Sequence, residues 1–364
     1  MKVLHVIARM NVGGTATYLL NLLEGLDNAG VEAHLAVGYV PKNEREESKI
    51  ASQNYWRIKH LSREISPYKD FRSRVEIKKL IEKINPDIIH SHTFKAGALV
   101  RSLTVNVPII HTFHGHHLYD PDYGKFKGWM LRIIEKSLAR KSTKIVTIGK
   151  RIGLELRQAK IGIPSQYVSI PPGVARPRLF SRSEIEKEIG LQKGINILWM
   201  GRLTHVKRPD RMIEIAKRFP RINFVVAGEG ELREILEIQA PSNVKFLGIQ
   251  DPNKMWSIAD LVLLTSDSEG MPLTLIEGQI AGIPGIATNV GSVEEILIHG
   301  KTGLLAKPEL EDLAQQIEKL TEDSKLREEL ARNARRRAEK IFSIGYMTTR
   351  HIDLYQEVLE ETTV

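Results

Sequence analysis

The sequence predicts an α/β protein made of two doubly wound parallel sheets. Short apolar, β-branched runs alternate with longer amphipathic stretches along the whole chain, which is the βαβ pattern of parallel sheets. The 364 residues exceed one ordinary core, so the alternation divides into two domains. A seam is expected at Ile170-Pro171-Pro172-Gly173-Val174, where two prolines and a glycine forbid helix and make a stiff turn.

In the first half the expected strands are Val3–Ala8, Ala33–Val37, Asp87–His90, Ile109–Phe113 and Ile145–Ile148. In the second they are Ile195–Met200, Phe224–Ala227, Val244–Leu247, Leu261–Thr265 and Gly285–Ala287. Helical periodicity marks Tyr18–Asn28, Ile77–Ile84, Gly128–Ala139, Arg211–Phe219 and Asp312–Thr321, then the charged helix Asp323–Lys340. The tail from Ile344 to Leu359 carries apolar Tyr355, Val358 and Leu359, the mark of a helix that docks.

Hydrophobic residues make up 42% and charged residues 27%, the balance of a soluble globular protein. No run of about 18 apolar residues occurs and the N-terminus does not read as a signal peptide, so a cytoplasmic protein is expected. The absence of cysteine excludes disulfides, thiolate catalysis and cysteine-ligated metals. The net charge of +9 is uneven: residues 1–170 hold 27 Lys and Arg against 15 Asp and Glu. A basic half suits an anionic partner, whether nucleic acid, a membrane surface or a phosphorylated ligand, although a solvated lysine-rich surface accounts for the charge equally well.

The chemistry concentrates at strand ends. Asp260 to Thr288 runs from an apolar strand through Glu269-Gly270-Met271-Pro272 into a helix carrying Glu277. Carboxylates and free backbone N–H groups there suit sugars and phosphates, which bind at such positions in open α/β sheets. Upstream, Gly201-Arg202-Leu203-Thr204-His205-Val206-Lys207 joins another strand to a helix. Two fixed cations in that loop can neutralise a diphosphate and the charge it gathers as it leaves a sugar. Gly13-Gly14 ends the first strand and lets the backbone approach a ligand, without being a dinucleotide fingerprint or a Walker loop.

Histidines gather in Ile88-Ile89-His90-Ser91-His92 and in His111-Thr112-Phe113-His114-Gly115-His116-His117. His114, before a glycine at a strand's carboxyl end, is placed to touch a ligand. No nearby acidic residue completes a metal-ligand spacing, so no metal is expected. Asp120-Pro121-Asp122 spells the DxD of metal-dependent sugar transferases, but three residues in a proline loop carry little information. Lys125 to Lys141 places Trp129, Ile133 and Ile134 among basic residues, which suits a membrane-surface helix or a helix whose apolar face lies on the sheet.

Together these residues resemble the retaining glycosyltransferases of family four, which have the GT-B fold. The likeness rests on Gly13-Gly14, His114, Pro171-Pro172-Gly173-Val174, Gly201-Arg202-Leu203 with Lys207, Ala227-Gly228-Glu229-Gly230, Glu269 to Glu277, and Ala281-Gly282-Ile283-Pro284. His111 to His117 is most similar to members that build bacterial polysaccharides on polyprenyl-linked acceptors. The resemblance implies two Rossmann-like domains facing a central cleft. Residues 1–172 would bind the acceptor, 173–343 the nucleotide sugar, and a helix over 344–364 would pack back onto the first.

By position, the resemblance implies that Arg202 and Lys207 hold the donor diphosphate in place of a metal, Glu277 the ribose and Glu269 the transferred sugar. Gly270, Met271, Pro272 and Leu273 would meet sugar or phosphate, Phe246 to Gly248 the base, Gly13 and Gly14 the phosphates, and His114 the sugar near its reacting carbon. Gly278 and Gly285 depart from the family pattern and are expected to loosen packing near the site.

The expected protein is thus a hexosyltransferase-type enzyme moving a sugar from a nucleotide-diphospho-sugar to an acceptor hydroxyl, with retention, without metal or other cofactor. Its partners are the donor and a saccharide or lipid-linked acceptor of cell-surface polysaccharide or glycolipid synthesis. The basic half adds an anionic membrane face, with peripheral attachment to the inner side of the cell membrane. Two rivals stand: a nucleotide-sugar epimerase on the same fold, and a non-catalytic polyanion-binding protein. No nucleic-acid-binding signature is present.

Overall fold

The computed structural model describes residues 1–41, 44–52, 54–115 and 124–363, so Asp120-Pro121-Asp122 and His116-His117 lie outside the described residues. The chain forms two units, Met1–Gly173 with Ile344–Val364, and Val174–Ser343.

The first unit holds strands β1 (Lys2–Ile7), β2 (Glu32–Val37), β3 (Tyr55–Arg57), β4 (Ile88–His92), β5 (Ile109–Phe113), β6 (Lys144–Thr147) and β7 (Tyr167–Ser169). They form one sheet in the order β3-β2-β1-β4-β5-β6-β7, with parallel pairing throughout. The second unit holds β8 (Asn196–Met200), β9 (Asn223–Ala227), β10 (Val244–Gly248), β11 (Leu261–Leu264), β12 (Gly285–Thr288) and β13 (Gly303–Ala306). Their order is β10-β9-β8-β11-β12-β13, again parallel. Each sheet reverses direction beside its first strand, between β1 and β4 and between β8 and β11. In doubly wound folds a crevice opens outside the carboxyl ends of the strands at that reversal.

The expected central strands agree with this architecture to within one or two residues. Three strands went unforeseen, β3, β7 and β13, and each is a sheet edge of three or four residues. In β3 and β7 no residue is fully buried, so the apolar run that announces a central strand is missing there.

Alternation along β1 separates two environments. Leu4 and Val6 face an aliphatic core with Ile77, Ile89, Ala96 and Val100, while His5 points to the opposite face. Helix Ile344–Thr363 covers that opposite face and packs against helix Gly14–Asn28. Lys144 Nζ anchors it through Glu357 Oε1 at 2.5 Å and Glu361 Oε1 at 3.0 Å.

The two helices touch where Gly25 faces Thr348. A β-carbon on Gly25 would lie 1.9 Å from Thr348 Oγ1 and 3.1 Å from Ile344 Cγ2. Gly25→Ala is therefore expected to destabilise the protein by about 1–3 kcal/mol through overpacking. Thr348 Oγ1 is buried without a hydrogen-bond partner among the described residues, so Thr348→Ala removes the obstacle at little cost. Chemical denaturation followed by circular dichroism should show the double variant regaining most of the loss; equal instability in single and double variants refutes the contact.

Candidate active site

The second unit brings its candidate groups to the reversal between β8 and β11. Arg202 and Lys207 follow β8, and Glu269 follows β11. Lys207 Nζ lies 2.5 Å from Glu269 Oε1, and Ser266 Oγ donates to the same oxygen at 2.5 Å. Only 7% of the Glu269 side chain is exposed, so its carboxylate is held by its neighbours rather than by solvent. From sequence, Lys207 and Glu269 were assigned separate ligands; the structure joins them as a pair. Arg202 is exposed, and among the described residues its guanidinium makes no ion pair.

A lattice of bonds fixes the two loops against each other. Trp199 Nε1 donates to Thr265 Oγ1 at 3.0 Å, and Thr265 Oγ1 donates to the Lys207 carbonyl at 2.9 Å. The Asp267 N–H reaches the Val206 carbonyl at 2.9 Å, and Arg211 reaches both the Thr265 carbonyl and Asp267. Thr288 Oγ1 binds the Ser266 carbonyl at 2.6 Å. The chain enters helix Pro209–Arg218 through Arg208 at φ 50°, a left-handed conformation held by its pairs with Asp210 and Asp267. Thr265, Arg211 and Asp267 escaped the sequence reading because their importance lies in partners 54 to 66 residues away.

Close backbone approach explains two glycine motifs. A β-carbon on Gly228 would meet the Gly201 carbonyl oxygen at 1.9 Å, and one on Gly230 the Leu203 carbonyl oxygen at 2.3 Å. Ala227-Gly228-Glu229-Gly230 thus seats the arginine loop, with N–H bonds from Gly201 to Ala227 and from Leu203 to Glu229. Gly291, at φ +53°, lies against the Glu269 backbone, where a β-carbon would fall 1.7 Å from the carbonyl oxygen. The departures Gly278 and Gly285 do not loosen the site. A β-carbon on either would stand about 3.1 Å from Val262 or Leu275, so these glycines let helix Leu273–Ala281 lie close on the sheet.

The remaining donor candidates sit nearby in the same unit. Met271 and Pro272 are buried at the start of helix Leu273–Ala281, Gly270 and Leu273 are partly exposed, and Glu277 lies partly buried within that helix. Thr274 Oγ1 ties the helix start to the Met200 carbonyl. On the edge strand β10, Phe246 packs against the core and Gly248, at φ +69°, accepts the Gly228 N–H at 2.8 Å.

In the first unit, Gly13 adopts φ 154°, a conformation essentially reserved for glycine, and caps helix Gly14–Asn28. The histidines that sequence left in separate strands converge on the face under helix Ile344–Thr363. His114 Nε2 lies 3.2 Å from His92 Nδ1, and His92 Nε2 lies 3.1 Å from His5 Nδ1. His90 binds Tyr355 and Thr112, while His351 binds Tyr18 and the Met347 carbonyl. His5, His90 and His92 have ring nitrogens within 4.8 Å of one another, the spacing of a metal site. Yet His90 and His92 stack with centroids 4.4 Å apart at 26°, and near-parallel rings do not converge their lone pairs on one ion.

Burial holds these rings neutral. It lowers His5 and His114 to about 3 and His351 to about 4, and keeps His90, His92 and His111 well below 6.5. Nearby rings add to the effect, as does Arg101 at His111.

In overall design this is a GT-B glycosyltransferase. A sucrose-phosphate synthase from Thermosynechococcus elongatus superposes with a TM-score of 0.85 at 19% identity, over 99% of this chain and 100% of that one. HepE of Anabaena, solved in complex with UDP and glucose, gives 0.84 at 18% identity, over 98% and 100%. Residues 12–176 match the Glycosyltransferase Family 4 model, and residues 181–337 the Glycosyl transferases group 1 model. An Escherichia coli UDP-Gal:alpha-D-GlcNAc-diphosphoundecaprenol alpha-1,3-galactosyltransferase is 30% identical over 329 residues, 82% of each chain.

The chain belongs to the group 1 glycosyl transferases and is an enzyme of the hexosyltransferase type. Both family models describe transferases, which leaves the epimerase alternative without support. Among the described residues no helix is long and apolar enough to cross a membrane.

The neutral cluster has a measurable consequence. An unfolded histidine titrates near 6.5 and these titrate far lower, so on acidification the unfolded chain binds protons that the folded unit refuses. Stability should therefore fall as pH drops below 6.5 toward 4, by about 1.4 kcal/mol per pH unit for each such histidine. Denaturant midpoints measured across that range test this; a midpoint that does not move with pH contradicts a neutral cluster.

Proposed function

We propose that this enzyme transfers a hexose from a nucleotide-diphospho-sugar to an acceptor hydroxyl with retention at the anomeric carbon. The observation that carries the reading is the grouping of Arg202, Lys207 and Glu269 at the β8/β11 reversal. Arg202 and Lys207 neutralise the diphosphate, the task a metal performs elsewhere, and act most strongly as negative charge gathers on the leaving oxygen. Glu269 accepts from sugar hydroxyls, Glu277 takes the ribose, and the backbone of Gly270 to Leu273 meets sugar or phosphate. Phe246 and Gly248 adjoin the base; in the first unit, Gly13 and Gly14 suit a phosphate and His114 a sugar.

The acceptor oxygen bonds the anomeric carbon on the face from which the diphosphate departs. The bond from that carbon to the diphosphate oxygen breaks, and that oxygen takes the hydroxyl proton. No protein nucleophile is required. The uridine nucleotides in the names of HepE's complex and of the Escherichia coli relative make a UDP-sugar the first donor to test. The latter's name also supports a saccharide on a polyprenyl diphosphate as acceptor, in cell-surface polysaccharide synthesis.

Thermal-shift screening of uridine, guanosine and adenosine diphosphate sugars tests donor binding, since saturation at 100 times Kd adds about 2.7 kcal/mol of stability. With the donor so identified, Lys207→Ala and Glu269→Ala should each lower turnover about 100-fold or more while circular dichroism stays native. Near wild-type turnover in either variant rejects its assigned role.

A second part of the proposal concerns attachment to anionic membranes. Helix Gly124–Ala139 does not bury the apolar face that sequence allowed it to lay on the sheet: Trp129 is 56% exposed, and Met130, Ile133 and Ile134 are exposed beside it. Glu135 and Ala139 face inward instead, with Glu135 paired to buried Arg101. Apolar side chains among basic ones suit the boundary between headgroups and acyl chains. The wild-type protein should sediment with anionic vesicles at low salt, and a Trp129→Ser/Ile133→Ser double variant should not; equal sedimentation of both rules out this helix as the anchor.

A further inference from the structure

The polar face beneath helix Ile344–Thr363 holds strings of hydrogen bonds, and donor counting gives the one through His351 a single direction. The Met347 carbonyl only accepts, so His351 carries its proton on Nδ1 and offers a lone pair at Nε2. Tyr18 must therefore donate its hydroxyl proton to His351 Nε2, 3.1 Å away. His90 meets Thr112 Oγ1 through Nε2 at 2.7 Å and the Tyr355 hydroxyl through Nδ1 at 2.6 Å.

The second string runs from His5 through His92 to His114. Neutral imidazoles carry one N–H each, so it has two arrangements. Either every proton points toward His114, leaving a bare lone pair at His5 Nε2, or every proton points toward His5, leaving a bare N–H there. His5 Nε2 is buried and has no partner among the described residues. Among backbone groups, buried N–H donors without partners are rarer than unsatisfied acceptors, and by the same preference we take the first arrangement. His5 Nδ1–H then donates to His92 Nε2, and His92 Nδ1–H donates to His114 Nε2. Each neutral ring's remaining nitrogen is set by the bond its first one makes.

We infer that His92 and His5 are positioning residues that hold His114 in its Nδ1–H tautomer, presenting the enzyme's substrate with a hydrogen-bond donor rather than an acceptor. Tyr18 steadies the ring from the side, edge-on with centroids 4.8 Å apart. Among the described residues no bond occupies His114 Nδ1. A donor there selects an oxygen with a free lone pair, a sugar hydroxyl or a phosphate oxygen, and cannot take a proton from the acceptor. The functional consequence rests on His114 meeting the sugar as proposed above; the tautomer does not.

Long-range proton–nitrogen NMR correlation on the full chain, labelled with ¹⁵N-histidine, reads the tautomer directly. His114 is assigned from the signals lost in His114→Ala. The wild-type protein at pH 7.5 is expected to show protonated Nδ1 and bare Nε2 at His114, and protonated Nε2 there overturns the inference. His92→Phe keeps a ring in the stack but breaks both bonds, and should release His114 from the Nδ1–H form; an unchanged tautomer also overturns it. Turnover should fall at least about tenfold in His92→Phe and recover in His92→Asn, whose amide restores a donor near Nδ1. Equal losses in both, matched by equal losses of stability, mark a merely structural role. Should His92→Phe not fold, the wild-type spectrum still decides. Full turnover by His114→Ala rejects the sugar contact and leaves the tautomer to stand or fall on its spectrum.

Discussion

A parallel sheet that reverses its strand order cannot cover both strands at the reversal, and the rest of this structure follows from that constraint. The connections on either side run in opposite directions, so two strand ends lie side by side with nothing above them. In the second unit these are the ends of β8 and β11, and every charged group of the candidate donor site extends from one or the other. Placing a lysine and a mostly buried carboxylate there would be costly without mutual pairing, and Lys207 and Glu269 pair at 2.5 Å. Ser266, Thr265 and the Asp267 backbone hold the two loops together around the pair.

The first unit meets the same geometry differently. Its reversal lies between β1 and β4, and the face beside it carries histidines and tyrosines where an aliphatic layer would be ordinary. Such a layer is tolerable only if its polar atoms are bonded. Helix Ile344–Thr363 supplies His351 and Tyr355 for that purpose, which makes the last residues of the chain part of the core of its first unit. The two units thus set different chemistry at equivalent topological places, fixed charge in one and neutral hydrogen-bonding rings in the other.

The central strands and the candidate site loops were legible in the sequence because both depend on local features. Leu261–Leu264 is an apolar run, and Gly201-Arg202 and Glu269-Gly270 stand at the ends of such runs. The edge strands Tyr55–Arg57 and Tyr167–Ser169 were not legible, since they are too short and too exposed to show a pattern. Helix Gly124–Ala139 was ambiguous because an amphipathic stripe states that one face is apolar, not which way it turns. Its inward face proved to be the one carrying Glu135, whose partner Arg101 lies 34 residues away.

By itself the sequence determined the α/β class, the positions of the central strands, and the strand ends at which the glutamates and the two cations stand. Those follow from periodicity of 2 and 3.6 residues and from turns that a few adjacent residues specify. Only the tertiary structure decided that Lys207 and Glu269 form a pair, that Gly228, Gly230 and Gly291 are glycines because another backbone runs against them, and that His5, His92 and His114 form one string. The reason is physical: each of those facts is a contact between segments separated by tens of residues. A parallel sheet fixes such contacts through strand order, which local sequence patterning does not encode.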